Sequence, residues 1–302
     1  KLRGTLLGLA QAGQTFGQRA SQIADAMFDI VQSGFNSADA LEIARVSALG
    51  AEAGFTKADV AGRVLVAVLN ALGGSAVDSQ HIMDILFKTV DLGVITFEEL
   101  GNSLGRALGP ASALNVPLED LGAVIAVLTR RGLTGRESIT ALTRIMLEFL
   151  RPSERAKSRA REFGFELNGT TIASEGLVGA LLKLDTALGG NSSALAELFS
   201  RQNAVVGSQL LLADGGEMLT EIYAEMGGAS DGAGAATDAL NQRSKALNYQ
   251  LRLLGVQFLS LTTRGLDPVR RALLTILPPI SQFIAGQGPL MGFLKANTEL
   301  LR

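Results

Sequence analysis

The chain has 302 residues, 47% of them apolar and 19% charged, with a formal net charge of −2. That length can bury a large core in one to three domains. A near-neutral balance with no block of like charge disfavours a partner held through nucleic-acid phosphates, and the lack of cysteine excludes disulfides, thiolate chemistry and cysteine-ligated zinc.

Residues 1–15 read as a lead-in. Lys1-Leu2-Arg3 has no signal-peptide pattern, and the abrupt ends at Lys1 and Arg302 suggest a piece of a longer polypeptide. Residues 16–150 read as an array of helices in which one turn is written six times. In each copy Gly or Asn closes a helix, a polar residue caps the next, and an acid follows three positions later. The caps are Asn36, Thr56, Ser75, Thr96, Pro117 and Thr134; the acids are Asp39, Asp59, Asp78, Glu99, Asp120 and Glu137. The acid reaches back to the cap N–H and favours the positive end of the helix dipole. Phe35, Phe55, Ile95 and Leu133, each just before a cap, suit the hydrophobic staple. Pro117 cannot cap through a side chain but fits a first helical turn. The caps are spaced by 20, 19, 21, 21 and 17 residues, a repeat of one helix, or of a helical hairpin at twice that length. The pattern predicts helices over Ala38–Ala53, Lys57–Leu72, Val77–Leu92, Phe97–Leu108, Leu118–Arg131 and Gly135–Leu150. It specifies a fold and no reaction.

Residues 151–226 continue with a charged helix, Ser153–Phe163, whose cations read as solvated surface. Phe163 to Ile172 then alternates apolar and polar residues around Asn168-Gly169, which predicts a short β-hairpin near 165–172, turning at those two residues. Helices are predicted again over Ser174–Leu188 and Ser193–Ala213. Residues 227–236, rich in Gly and Ala, read as a flexible loop; no Lys-Ser/Thr follows in the register of a phosphate loop. Residues 237–302 read as long apolar C-terminal helices. Ala272 to Leu294 holds no charge over 23 positions. That is long enough for a membrane span, but Pro278, Pro279 and Pro289 interrupt it, which favours a packed or partner-bound helix pair. The fold class expected is all-α: an array of capped helices with one short β-hairpin.

Signatures of chemistry are sparse. His81, the single histidine, has no second ligand at metal spacing and reads as a capping or packing residue. Glu98-Glu99 and Glu119-Asp120 stand at helix starts, where dipole complementarity accounts for them. No catalytic, cofactor-binding or metal-binding residue is assigned, and no cofactor. The spacing of Gly101, Gly105 and Gly109 suits tight helix crossings.

An ordered series of short motifs resembles the central domain of tailed-phage tape measure proteins. It begins with Ile82-Met-Asp-Ile-Leu-Phe-Lys-Thr-Val-Asp-Leu-Gly93 and Thr96-Phe-Glu-Glu-Leu100. It continues with Leu118-Glu-Asp120 and Leu128-Thr-Arg-Arg-Gly-Leu133, then Leu150-Arg-Pro-Ser153, Phe163-Gly-Phe165 and Asn168-Gly169. It closes with Leu198-Phe-Ser-Arg201 and Gln209-Leu-Leu-Leu212. The resemblance covers roughly residues 15–265 and departs from the family pattern at Arg130-Arg131 and at Asn168. It implies a non-enzymatic virion protein that sets tail length, occupies the tail lumen or tip, and leaves ahead of the DNA at ejection. It implies assembly in the host cytoplasm and residence in the virion tail. The partners implied are three or six sibling copies, tail tube and tail tip or hub proteins, and the host envelope through 272–294, with no specific nucleic-acid binding. The other readings are a helical-repeat assembly scaffold and a membrane-active protein acting through the C-terminal helices.

Overall fold

A computed structural model describes residues 20–53 and 56–231. The chain divides into two units, Lys1–Gln250 and Leu251–Arg302, and all the described residues lie in the first. The described part of that unit is all-α, without a strand. Its helices are α1 (Ala20–Gln32), α2 (Ser37–Ala53), α3 (Ala58–Leu72), α4 (Ser79–Leu92), α5 (Phe97–Ser103), α6 (Gly105–Leu114), α7 (Leu118–Arg130), α8 (Gly135–Leu150), α9 (Glu154–Glu162), α10 (Gly169–Leu188), α11 (Leu195–Leu198), α12 (Gln202–Leu211) and α13 (Glu217–Asp231). Short 3₁₀ turns precede α4, α11 and α13.

The turns of the array follow from local chemistry. Gly73 and Gly132 take positive φ (78° and 98°) and close α3 and α7, a conformation that a side chain disfavours. Gly93 closes α4 at φ −99°, so its role is different: a Cβ there would lie 2.8 Å from the Thr89 carbonyl and 2.9 Å from Thr129 Oγ1. Its missing side chain lets the α4–α5 turn lie directly on α7, where Val94 N–H donates to Thr129 Oγ1 at 3.0 Å.

α7 and α8 form the centre. From Leu118 to Thr129 every residue of α7 except Glu119 is buried, as expected of a helix that is apolar nearly all round. α4 and α13 pack on α7; α6 and α12 pack on α8. Small residues set the closest crossings. A Cβ on Gly101 would meet Val64 at 2.6 Å, one on Gly207 would meet Ala141 at 2.7 Å, and one on Gly122 would collide with Thr89 Oγ1. Gly105 and Gly109, expected at a crossing, have open space around them. At the end of α8, Phe149 is fully buried and meets Phe165 edge-on (centroids 6.2 Å apart) and Phe199 (6.3 Å). This cluster pins the α9–α10 and α11–α12 connections to the array.

Four expectations are corrected. The hairpin near 165–172 is absent. Phe165 and Leu167 are buried and Glu166 is exposed, so the alternation marks an extended segment lying on the core, with no strand beside it. Asn168 and Gly169 form a helix start instead of a turn: Asn168 Oδ1 accepts from Thr171 N–H at 3.0 Å and caps α10. The Asn-Gly pair satisfies either motif, and Thr171, which also donates to the Glu166 carbonyl at 2.6 Å, selects the cap. Second, the helix expected to end at Leu108 continues through Pro110 to Leu114, with Leu104, itself in helical backbone, dividing α5 from α6. Third, the helix expected over Ser193–Ala213 is broken at Phe199–Arg201, whose ends are extended (Phe199 ψ 126°, Arg201 ψ 126°). Fourth, Gly227 to Asp231, expected as the start of a loop, continues α13; the rest of 227–236 and all of 237–302, with Ala272–Leu294, lie outside the described residues.

Candidate functional site

The polar chemistry of the described residues gathers at helix starts, in two forms. The first form is local. Asn36 Oδ1 accepts from Ala38 N–H (2.9 Å) and Asp39 N–H (3.1 Å), and its amide donates to Asp39 Oδ2 (2.6 Å). Thr96 and Glu99 form a reciprocal box: Thr96 N–H donates to Glu99 Oε2 at 3.0 Å, and Glu99 N–H donates to Thr96 Oγ1 at 3.2 Å. Thr134 and Glu137 repeat it at 2.9 and 3.3 Å. Asp78 accepts from both Ser75 N–H (2.7 Å) and Ser75 Oγ (2.9 Å) around the 3₁₀ turn before α4. The cap N–H first, and the cap hydroxyl second, hold Asp78, Glu99 and Glu137 below the usual carboxylate range.

Two of the six repeats depart from this pattern. Thr56 does not cap α3; the helix starts one residue later, with Lys57 as an N-cap that offers no side-chain bond. The Thr56 N–H is turned back to the Ala51 carbonyl of α2 at 3.0 Å, so the residue closes the preceding helix instead of opening the next. Asp59 pairs with Arg63 at 2.9 Å on the α3 surface. The other departure is Asp120, which does not serve its own helix.

Asp120 introduces the second form, a carboxylate that caps a helix distant in sequence. It is 1% exposed. Its Oδ2 accepts from Leu177 N–H at 2.7 Å and Val178 N–H at 3.2 Å. These amides are free because α10 is interrupted at Gly176 (φ 72°, ψ 169°), a backbone region open only to glycine. A Cβ at Gly176 would also stand 3.1 Å from Asp120 Oδ2. Asp120 thus caps the second half of α10 from α7. Burial pushes its carboxyl upward, offset by the Val178 and Leu177 amides and the Tyr223 hydroxyl of α13. The nearby Asp120 charge in turn raises the Tyr223 phenol. Glu119, beside it, points outward to His81 Nε2 at 3.2 Å.

Glu148 is the second such residue, buried near the end of α8. Its Oε1 accepts from Ser200 N–H (3.0 Å), Ser200 Oγ (2.7 Å) and Arg201 N–H (3.2 Å). These bonds satisfy the chain at the start of α12, where Arg201 is an N-cap without a side-chain bond of its own. Sequence reasoning missed Glu148. The signal available was a single acid inside the apolar run Ile145-Met-Leu-Glu-Phe-Leu150.

In both clasps the bonded carboxylate oxygen is occupied by helix amides, which makes each a positioning group. A cleft of about 260 Å³ between α3, α6 and α7 is lined by Leu72, Ser112, Asn115, Val116 and Pro117, none of them titratable. Among the described residues no three His, Asp or Glu side chains are grouped as metal ligands, and no helix is long and apolar enough to cross a membrane.

Residues 9–200 match a protein family described as phage-related minor tail protein. The chain belongs to that family. It is also similar to a probable tape measure protein of Clostridium phage phiCD119, 28% identical over 111 residues that make up 35% of this chain and 12% of that protein. No solved structure matches. The stretch shared with the phage-related minor tail proteins holds Asp120 with the half-helix it caps, and Glu148; it ends at Ser200, the residue on which Glu148 docks. α12 and α13 follow it.

Proposed function

We propose that this chain is a folded structural segment of a tape measure protein, acting in the tail through contacts with other proteins. The observation that carries the reading is the way the chain doubles back. None of the described helices exceeds 20 residues, and that one is interrupted at Gly176. A 20-residue helix spans only about 30 Å. A segment that measures length by its own extension needs continuous helix, so this region is a compact body attached to the ruling part of a longer chain. The resemblance to a tape measure protein supports the same role.

In this reading the parent protein sets tail length, occupies the tail lumen or tip, and leaves before the DNA. Compact bodies crowd a narrow tube, which places this segment in a wider chamber at a tail end. Three or six copies in closed cyclic packing match the symmetry expected of a tail and are the usual arrangement for identical chains. Tube and tip or hub proteins are its neighbours, and 272–294 meets the host envelope only after release.

The test is an in-frame deletion of residues 20–231 from the parent gene, with tails measured by electron microscopy. The expected result is failed tail assembly, or non-infectious tails of nearly normal length. Tails shortened by about 1.5 Å for each residue removed would overturn the folded-body reading. Normal, infectious particles would overturn the tail role. A tail reconstruction without imposed symmetry that shows a single copy would overturn the stoichiometry.

A further inference from the structure

We propose that α13 is an exchangeable helix, which seats on α4 and α7 of a second copy of this chain as it seats on its own. The connection and the groove allow this wherever in the tail the chain resides.

The connection is a tight reversal, strained at Asp214. α12 ends at Leu211 and α13 begins at Glu217, and between them Asp214, Gly215 and Gly216 all take positive φ (56°, 68° and 73°). Asp214 and Asn115 are the non-glycine residues with positive φ among those described. Three consecutive left-handed residues fold the chain back sharply enough to send α12 to α8 and α13 to α7. Opening the hinge lets these residues return to ordinary helical backbone, with α12 running on into α13. Short strained hinges of this kind favour exchange of the element they carry.

The groove is indifferent to which copy fills it. Leu219, Ile222 and Met226 of α13 are buried, at no more than 1% exposed. Met226 rests over Gly122 of α7, where a Cβ would stand 3.1 Å from the methionine methyl. The rim is polar. Lys88 Nζ of α4 lies 3.8 Å from Glu225 Oε2, and the Tyr223 hydroxyl stands beside Asp120. Every one of these partners belongs to α4 or α7, so a second copy presents the same surface to the same helix. Exchange around a closed ring of copies, each α13 seating on the next, keeps all of these contacts, and in solution two copies suffice to close it. What changes is the hinge and its ion pair, Arg131 to Asp214 at 3.0 Å. The Asp214 side chain is 72% exposed, so little is lost there.

The test uses the full 302-residue chain, which has no native cysteine. Lys88→Cys and Glu225→Cys are placed on separate chains, refolded together and oxidised. A disulfide between the two chains, above the level that each single-cysteine chain gives alone by random encounter, reports α13 of one seated on α4 of the other. The double variant on one chain is the control for correct seating. Gly215→Ala adds strain without steric contact, since nothing lies within 4 Å of its Cβ position. It is expected to raise the dimerisation constant about tenfold, because two hinges open per dimer. Intrachain disulfide in the double variant with none between the mixed chains overturns the proposal. So does a Gly215→Ala chain that stays monomeric by light scattering at every concentration tested.

Discussion

The array α1–α8 and the layer α9–α13 handle the same physical problem in different ways. Both must satisfy the free N–H groups at the starts of short helices. The array does so mostly from within, through Asn36 and Asp39, Ser75 and Asp78, Thr96 and Glu99, and Thr134 and Glu137, all within three residues of one another. The layer starts α9 and the first half of α10 locally, with Ser153 and Asn168, but α12 and the second half of α10 are completed by Glu148 and Asp120 of the array. The array's starts depend on local sequence. Those two starts in the layer depend on the array already being in place. The layer is therefore expected to lose its order before the array does.

The sharpest way to break the contrast is Glu148→Ala. It removes the acceptor that two amides and a hydroxyl share at that helix start, and is expected to cost about 2 kcal/mol. Hydrogen exchange should accelerate over residues 200–211 while the helix starts at Thr96 and Thr134 keep their protection. Equal acceleration in both regions would remove the distinction. Next is Gly207→Ala, which forces a methyl against Ala141 and should cost about 2 kcal/mol by chemical denaturation. The same change at Gly105, with open space around it, should be neutral or stabilising.

The pH dependence separates Asp120 from the boxed glutamates by sign. Burial raises the Asp120 carboxyl, so the native chain holds that proton more tightly than the unfolded chain does. Its contribution therefore weakens stability as pH rises from the ordinary carboxylate range through the raised value, with a slope of at most about 1.4 kcal/mol per pH unit. Glu99 and Glu137 are lowered, so the stability they add is complete above the ordinary range and lost as pH falls through their lowered values. Asp120→Asn should remove the first slope and leave the second in a stability–pH profile. A profile unchanged by the substitution would contradict the assignment. The smallest effects test the array itself. Thr134→Ala should cost about 1 kcal/mol. Thr56→Ala, at a position that makes no cap bond, should stay within about 0.5 kcal/mol.

Much of this was legible in the sequence because capping is local. A hydroxyl, an acid three residues on and a closing glycine act over one turn of chain, so their spacing announces helix starts and an all-α fold without knowledge of what packs on what. The same locality explains the misreading at Asn168-Gly169. A hairpin needs a second strand, and neighbouring residues cannot say whether one is present. Asp120 stands at the phased acid position, yet its oxygen serves residues 57 and 58 positions away. Glu148 reaches 52 and 53 positions. Nothing in the period marks either. They were decided when α7 and α8 were buried and the breaks at Gly176 and Phe199–Arg201 brought free amides against them. The sequence by itself determined where the array's helices begin. Only the tertiary structure decided which acids leave their own helix to hold another, because a buried carboxylate takes whatever unsatisfied donors the packing presents to it.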